Sequence, residues 1–126
     1  RLGAAAAAGL AALGLADTAL LQKTRLKYLR APVVIVVGST ANPVPYLHRE
    51  NHDAVAAGVQ NILLGATALG LGSFWSTGAP AEVPEVKALM GLQPDDEIVA
   101  FIYLGWPLEV APPSQRSAPV VTLIDA

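Results

Sequence analysis

The stretch HDAVAAGVQNILLGATALGLGSFWSTG, residues 52–78, decides how the rest of the chain is read. From His52 to about Leu69 its apolar residues recur at helical spacing and predict the main helix. Gly70-Leu-Gly72 ends that helix as a left-handed cap would, since glycine reaches this conformation without steric cost. Ser73 to Thr77 then reads as a strand, and Gly78-Ala-Pro80 as a turn. Gly58, Gly65 and Gly72 recur every seven residues, and each glycine costs a helix about 1 kcal/mol relative to alanine. A helix that tolerates this cost is expected to offer a smooth face to a closely approaching neighbour. Ala54 to Trp75 holds no charge and is long enough to span a bilayer. Gln60, Asn61, Thr67, Ser73 and four glycines dilute its hydrophobicity, so the expectation is a helix buried on all sides in a soluble protein.

Upstream, Leu2 to about Leu21 predicts one helix, weakened by Gly3, Gly9 and Gly14. Within it, Leu2 to Ala16 has the length and composition of a signal-peptide apolar region, but an alanine and leucine helix accounts for it better. Lys23, Arg25, Lys27 and Arg30 follow, half of the eight basic residues. They are either a solvated helix end or an anion-facing edge near a cofactor phosphate. Pro32 to Val37 is a β-branched run without polar alternation and predicts a central strand buried on both faces. A loop over Gly38–Pro45 and a polar, helix-compatible segment over Tyr46–Asn51 lead into the main helix. Downstream, Val83–Met90 predicts a helix ending at Gly91, and Ile98–Leu104 a second buried strand. The Pro-rich remainder ends in Val120-Val-Thr-Leu-Ile124, an apolar segment read as an edge strand, docked on its own sheet or lent to a partner.

Composition narrows the function. The chain has 126 residues, 53% hydrophobic and 14% charged, with a net charge of −2. Disorder is excluded, because that requires low hydrophobicity and high net charge. Eight basic against ten acidic residues argue against a nucleic-acid binder. Without cysteine there is no disulfide scaffold, thiolate metal site or cysteine nucleophile. So little charge on so small a domain implies either a surface largely covered by a partner or a missing part.

Signatures of self-contained catalysis are absent. No serine sits in a nucleophile elbow, and no residue is singled out as catalytic. His48 and His52 lie four apart, a spacing that can bind a metal. The glutamate of the zinc motif is missing, so solvent-facing or capping roles fit better. Asp95 and Asp96 are expected to be solvated in a turn. Gly70-Leu-Gly72 lacks the third glycine of a dinucleotide fingerprint. What remains is Phe74-Trp-Ser-Thr-Gly78, where hydroxyls and backbone N–H groups beside an aromatic ring could hold a flat heterocycle. A plain strand-to-turn transition is the alternative.

Taken in order, several segments resemble the second half of a bacterial nitroreductase of the small single-domain type. They are Arg30-Ala-Pro32 before a strand, Gln60–Ser73 with Trp75, Val86–Leu92 and Leu104-Gly-Trp-Pro107. The resemblance implies an α+β fold, a central β-sheet wrapped by helices, in an intertwined homodimer in the cytoplasm. It implies FMN at the dimer interface, reduced by NAD(P)H and reoxidised by nitro compounds, quinones or similar small-molecule acceptors. From the charge balance and the diluted hydrophobicity of residues 54–75, neither a nucleic-acid nor a membrane partner is expected. The family's flavin contacts fall on Trp75, Ser76 and Thr77. Its nicotinamide stretch falls on Gly65, Ala66, Thr67, Ala68, Leu69 and Gly70. The basic tail residue that meets the FMN phosphate would be Arg116.

The family's N-terminal helix with its Arg-Arg-Ser phosphate clamp, and the strand near Pro-Trp, have no counterpart here. Residues 1–126 are therefore expected to be a nitroreductase-like domain lacking its N-terminal part, with weakened FMN binding. A non-catalytic flavin-binding or storage module, and a helical dimerisation domain, are the alternative functions.

Overall fold

A computed structural model describes residues 1–109, 112 and 115–124. The chain runs α1 (Leu2–Ala12), α2 (Thr18–Lys27), β1 (Val33–Ser39), α3 (Pro45–Ala68), β2 (Gly72–Ser76), a single 3-10 turn (Ala79–Ala81), α4 (Pro84–Leu89) and β3 (Glu97–Gly105). The strands form one antiparallel sheet in the order β1-β3-β2. This is the expected α+β architecture, a central sheet with helices on both faces.

The two faces of the sheet build two cores. On one, Phe101 of β3 and Val34 and Val36 of β1 meet Ala6 and Leu10 of α1, Tyr28 after α2, and Val83 and Val86 at α4. On the other, Ala100 and Ile102 of β3, with Ile35 and Val37 of β1, meet Val59, Ile62 and Leu63 of α3. Alternate side chains of each strand thus feed opposite cores, as the pleat requires. A bulge at Val37/Gly38 leaves Val99 of β3 without a partner residue in β1.

Four expectations give way here. The first helix is two helices. Gly14, at φ +65°, takes the left-handed position after α1. There the Leu15 and Gly14 N–H groups donate to the carbonyls of Leu10 and Ala11, closing a Schellman motif. Asp17 then caps α2, accepting from the Leu20 N–H at 2.8 Å. Second, β1 lies at the edge of the described sheet, not at its centre. The absence of polar alternation reported two covered faces, which is not the same as two neighbouring strands. Third, α3 is a single helix from Pro45, and only Val59 and Ala66 along it are buried. It is therefore not buried on all sides, and no helix among the described residues is long and apolar enough to cross a membrane. Fourth, Val120–Ile124 belongs to no strand, and its apolar side chains are exposed, Val120 to 98%. A helical dimerisation domain gains no support from a sheet that carries both cores.

The glycines that a close approach requires are in α1. A Cβ on Gly3 would run into the Arg25 carbonyl of α2, and one on Gly9 into Val83 and the Glu85 carboxylate. Around Gly58 and Gly65 a Cβ would meet nothing within 4 Å.

Asp96 was expected in solvent, yet it is buried. Its carboxylate accepts from the Ala41 N–H and the Gln93 N–H, both at 2.8 Å. It thereby ties the loop after β1 to the turn before β3. These bonds, Ala41 first and then Gln93, hold the carboxyl below its ordinary pKa.

Two expectations follow. Gly3→Ala should lower stability by about 1–3 kcal/mol in urea unfolding, because rigid backbone opposes the added methyl. Asp96→Ala should destabilise at neutral pH. The native carboxyl titrates below the unfolded value of about 3.9, so the Asp96 contribution is complete above that value and is lost as pH falls through the native pKa. The gap in unfolding midpoint between parent and variant should therefore close at low pH.

Candidate functional site

The polar-aromatic segment sits at the end of β2, which has β3 on one side and, among the described residues, no strand on the other. An edge strand leaves alternate backbone N–H and C=O groups unpaired, so β2 presents a row of donors and acceptors beside Trp75. Trp75 itself is half-buried and packs on the α3 side of the sheet, with Val59, Ala100 and Ile102. Its indole N–H donates to the Val99 carbonyl at 3.1 Å. The bulge residue that lacks a partner in β1 thus takes its hydrogen bond from Trp75. That bond fixes the ring's tilt at the strand edge, a structural role that spacing alone did not reveal.

Ser76 is half-buried, with its hydroxyl directed to the Thr77 carbonyl at 3.4 Å. Thr77 is exposed, and Gly78 follows at φ +115°. Both hydroxyls are thus placed where the strand turns outward, and neither is locked into the core.

Gly65 to Gly70 forms the last turn of α3 and its cap. Gly70, at φ +76°, places the Leu71 N–H on the Ala66 carbonyl at 2.9 Å, the termination expected from the sequence. Ala66 is buried; Gly65, Thr67, Ala68, Leu69 and Gly70 are exposed. Thr67 is turned back along the helix, its hydroxyl donating to the Leu63 carbonyl at 3.1 Å. β2, five residues long, separates this turn from Ser76 by roughly 13 Å at the usual strand rise. The two stretches therefore lie at opposite ends of one strand.

Arg116 lies in the segment after β3 and is exposed. It makes no ion pair or side-chain hydrogen bond among the described residues.

The two histidines share a face of α3; among the described residues no group of three potential ligands converges. His48 is neither solvent-facing nor capping. Its Nδ1 accepts from the Asn42 N–H at 3.2 Å, and its Nε2 lies 3.0 Å from Glu97 Oε1. It thus latches the start of α3 to the loop after β1 and to the first residue of β3. His52 lies 3.6 Å from the Asp53 carboxylate at the surface.

Residues 3–106 match the family described as "Nitroreductase family". The chain is 33% identical over 92 residues to "Putative NAD(P)H nitroreductase YdjA" of Escherichia coli K12, a match covering 72% of this chain and 50% of that protein. The same figures hold for the protein of that name in strain O157:H7. The chain thus spans about half the length of the curated relatives it matches. Among solved structures it resembles a nitroreductase-like family protein from Bacillus cereus, with a TM-score of 0.70 and 26% identity over 94% of this chain and 62% of that one.

Trp75→Phe keeps the ring but removes its donor. It should cost about 1–2 kcal/mol, the usual penalty for stranding a part-buried carbonyl, with the sheet otherwise intact. Urea unfolding and amide exchange around Val99, near the start of β3, check this.

Proposed function

The chain belongs to the nitroreductase family, and from that premise we propose that the whole protein is an FMN-dependent NAD(P)H oxidoreductase in which this chain seats the flavin ring. The observation that carries the reading is the open edge of β2 with Trp75, Ser76 and Thr77 at its outer end. A flat heterocycle needs a rigid wall, and Trp75 supplies one because its indole is tied to Val99. The polar rim of such a ring needs donors and acceptors in a line, which edge backbone and two hydroxyls provide. When bound, FMN supplies the redox chemistry: it takes a hydride from reduced nicotinamide and passes electrons to an acceptor. The protein's part is position and electrostatics, which fits the lack of any acid–base dyad in the sequence.

Gly65 to Gly70 is the proposed nicotinamide edge. It is an exposed helix end whose side chains, Leu69 apart, are small or absent, so a flat ring can approach. Arg116 is the proposed phosphate contact. The acceptors are nitro compounds, quinones or similar small molecules.

The same reading includes a homodimer. The chain exposes 8981 Å², against roughly 6,300 Å² for a compact monomer of 13.0 kDa. Ala54, Ala57, Gly58, Asn61, Leu64 and Ala68 form an uncharged, exposed face of α3. The Val120–Ile124 segment, outside any helix or strand, exposes four large apolar side chains. A second copy covering the α3 face and accepting this segment on a sheet edge would account for both.

Three measurements test the proposal. The full-length protein should retain a yellow chromophore through gel filtration and bleach with NAD(P)H under anaerobic conditions, whereas the 126-residue chain alone should bind FMN more weakly. Replacing Ser76 and Thr77 by alanine and valine should weaken FMN about tenfold or more, at ~1 kcal/mol per hydrogen bond. Retained flavin that never bleaches would support the storage module instead. Gly58→Arg should convert a dimer to a folded monomer in sedimentation equilibrium, because a side chain at Gly58 meets nothing within its own chain. A persistent dimer would exclude this face.

A further inference from the structure

On the face of the sheet opposite Trp75, Lys27, Arg30, Ala31, Phe74 and Tyr103 line a cavity of about 220 Å³. Phe74 and Tyr103 are directly opposed across β2 and β3, and their rings lie 6.3 Å apart at 48°. Tyr103 is backed by a second ring, Tyr28, stacked on it at 6.0 Å and 5°. Phe74 is 66% exposed among the described residues. Above these rings stand Lys27 and Arg30, and neither has a carboxylate within 4 Å among the described residues.

Two unpaired like charges beside each other are unfavourable. Burial, and then the neighbouring Arg30 guanidinium, hold the Lys27 ammonium below its ordinary pKa. The end of α2 attracts cations through its dipole, an effect equivalent to about half a charge. It does not neutralise two. The Tyr103 hydroxyl is buried without a hydrogen-bond partner, so Tyr103 meets the cavity through its ring.

Size selects the ligand class. A cavity of about 150 Å³ admits benzene, whereas sites for larger cofactors begin near 300 Å³. The space here suits one aromatic ring and one planar anionic group. A guanidinium matches a carboxylate through paired donors, while Phe74 and Tyr103 meet a flat ring by stacking or edge contact.

We propose that this cavity is a binding site for a one-ring aromatic carboxylate, with the anion on Arg30 and Lys27 and the ring against Phe74 and Tyr103. It is separate from the seat proposed for flavin, because Phe74 and Trp75, adjacent in an extended strand, project from opposite faces of the sheet.

Benzoate titrated into the isotopically labelled full chain, followed by amide shifts, tests the proposal independently of any redox reading. Saturable shifts should centre on Lys27–Ala31, Phe74 and Tyr103. Arg30→Gln and, separately, Lys27→Gln should each weaken binding about tenfold, and Phe74→Leu should do so about fivefold, each variant keeping the dispersed spectrum of the parent. Benzamide should not bind, and cyclohexanecarboxylate should bind several-fold more weakly than benzoate. Phenyl phosphate, with a bulkier tetrahedral anion, should also bind more weakly. The proposal is overturned if benzoate fails to saturate, if its shifts centre on Trp75–Thr77, or if neither cation variant changes affinity. Equal binding of cyclohexanecarboxylate would overturn the assignment of an aromatic ligand.

Discussion

Everything in this fold hangs on the middle strand. β3 pairs with β1 along one edge and β2 along the other, and it supplies Phe101 to one core and Ala100 and Ile102 to the other. The helices have no common core without it: α1 and α4 reach one face, α3 the other. A strand buried on both faces and paired on both edges has no freedom to slip, since a shift of one residue would exchange the two cores. The single irregularity, the unpaired Val99, is the point where Trp75 attaches. The most constrained element of the structure therefore fixes the orientation of the ring at its most exposed edge.

That dependence explains which features were readable from residue order. The type and sequence of the elements followed from periodicity, as did the end of α3 at Gly70, because each is a local property. The division of α1 from α2 was also local. Gly14 and Asp17 together spell a stop and a start, but the continuous alanine and leucine pattern obscured them. The position of β1 in the sheet is not local. Val33 to Val37 reads alike whether or not another strand lies beside it, since side chains report covered faces and pairing is made by backbone. Asp96 and His48 belong to the same class. Their bonds reach Ala41 and Glu97, across 55 and 49 residues of sequence respectively, and no short-range pattern encodes them. At the candidate site, the residues at the end of β2 were legible as a group. The tie from Trp75 to Val99 was not, because it depends on a bulge in another strand.

The glycines teach a narrower lesson. The seven-residue spacing in α3 suggested close packing, but the packing within this chain occurs at Gly3 and Gly9 of α1. There the loss of helix propensity is offset by contact with α2 and with the start of α4. Gly58 and Gly65 carry the same propensity cost with no compensating contact within the chain. Under a purely intramolecular account their presence in a helix is a net loss, and alanine would be the better residue at both. The sparse charge of the α3 face points the same way, since a surface meant for solvent would carry lysine and glutamate there. The proposed homodimer would account for both observations.

Charge economy then sharpens the reading of the opposite face. With eight basic residues in the chain, an ordinary surface would spread them beside carboxylates or into free solvent. Here Lys27 and Arg30 converge on one aromatic cup instead, and Lys23 joins them at an adjoining hollow lined by Thr24 and Pro80. Cations at a helix end satisfy the dipole wherever they point, so the dipole does not explain why they lean toward Phe74 and Tyr103. Aromatic rings attract cations, which accounts for one such contact, as Lys27 makes with Tyr28 at 5.7 Å. It does not account for a second cation held beside the first with no carboxylate between them. An anion in the cup removes that repulsion and uses the exposed Phe74 ring at the same time. The sheet thus separates two surfaces of opposite character: one nearly without charge beside Trp75, the other concentrating positive charge around an exposed phenyl ring.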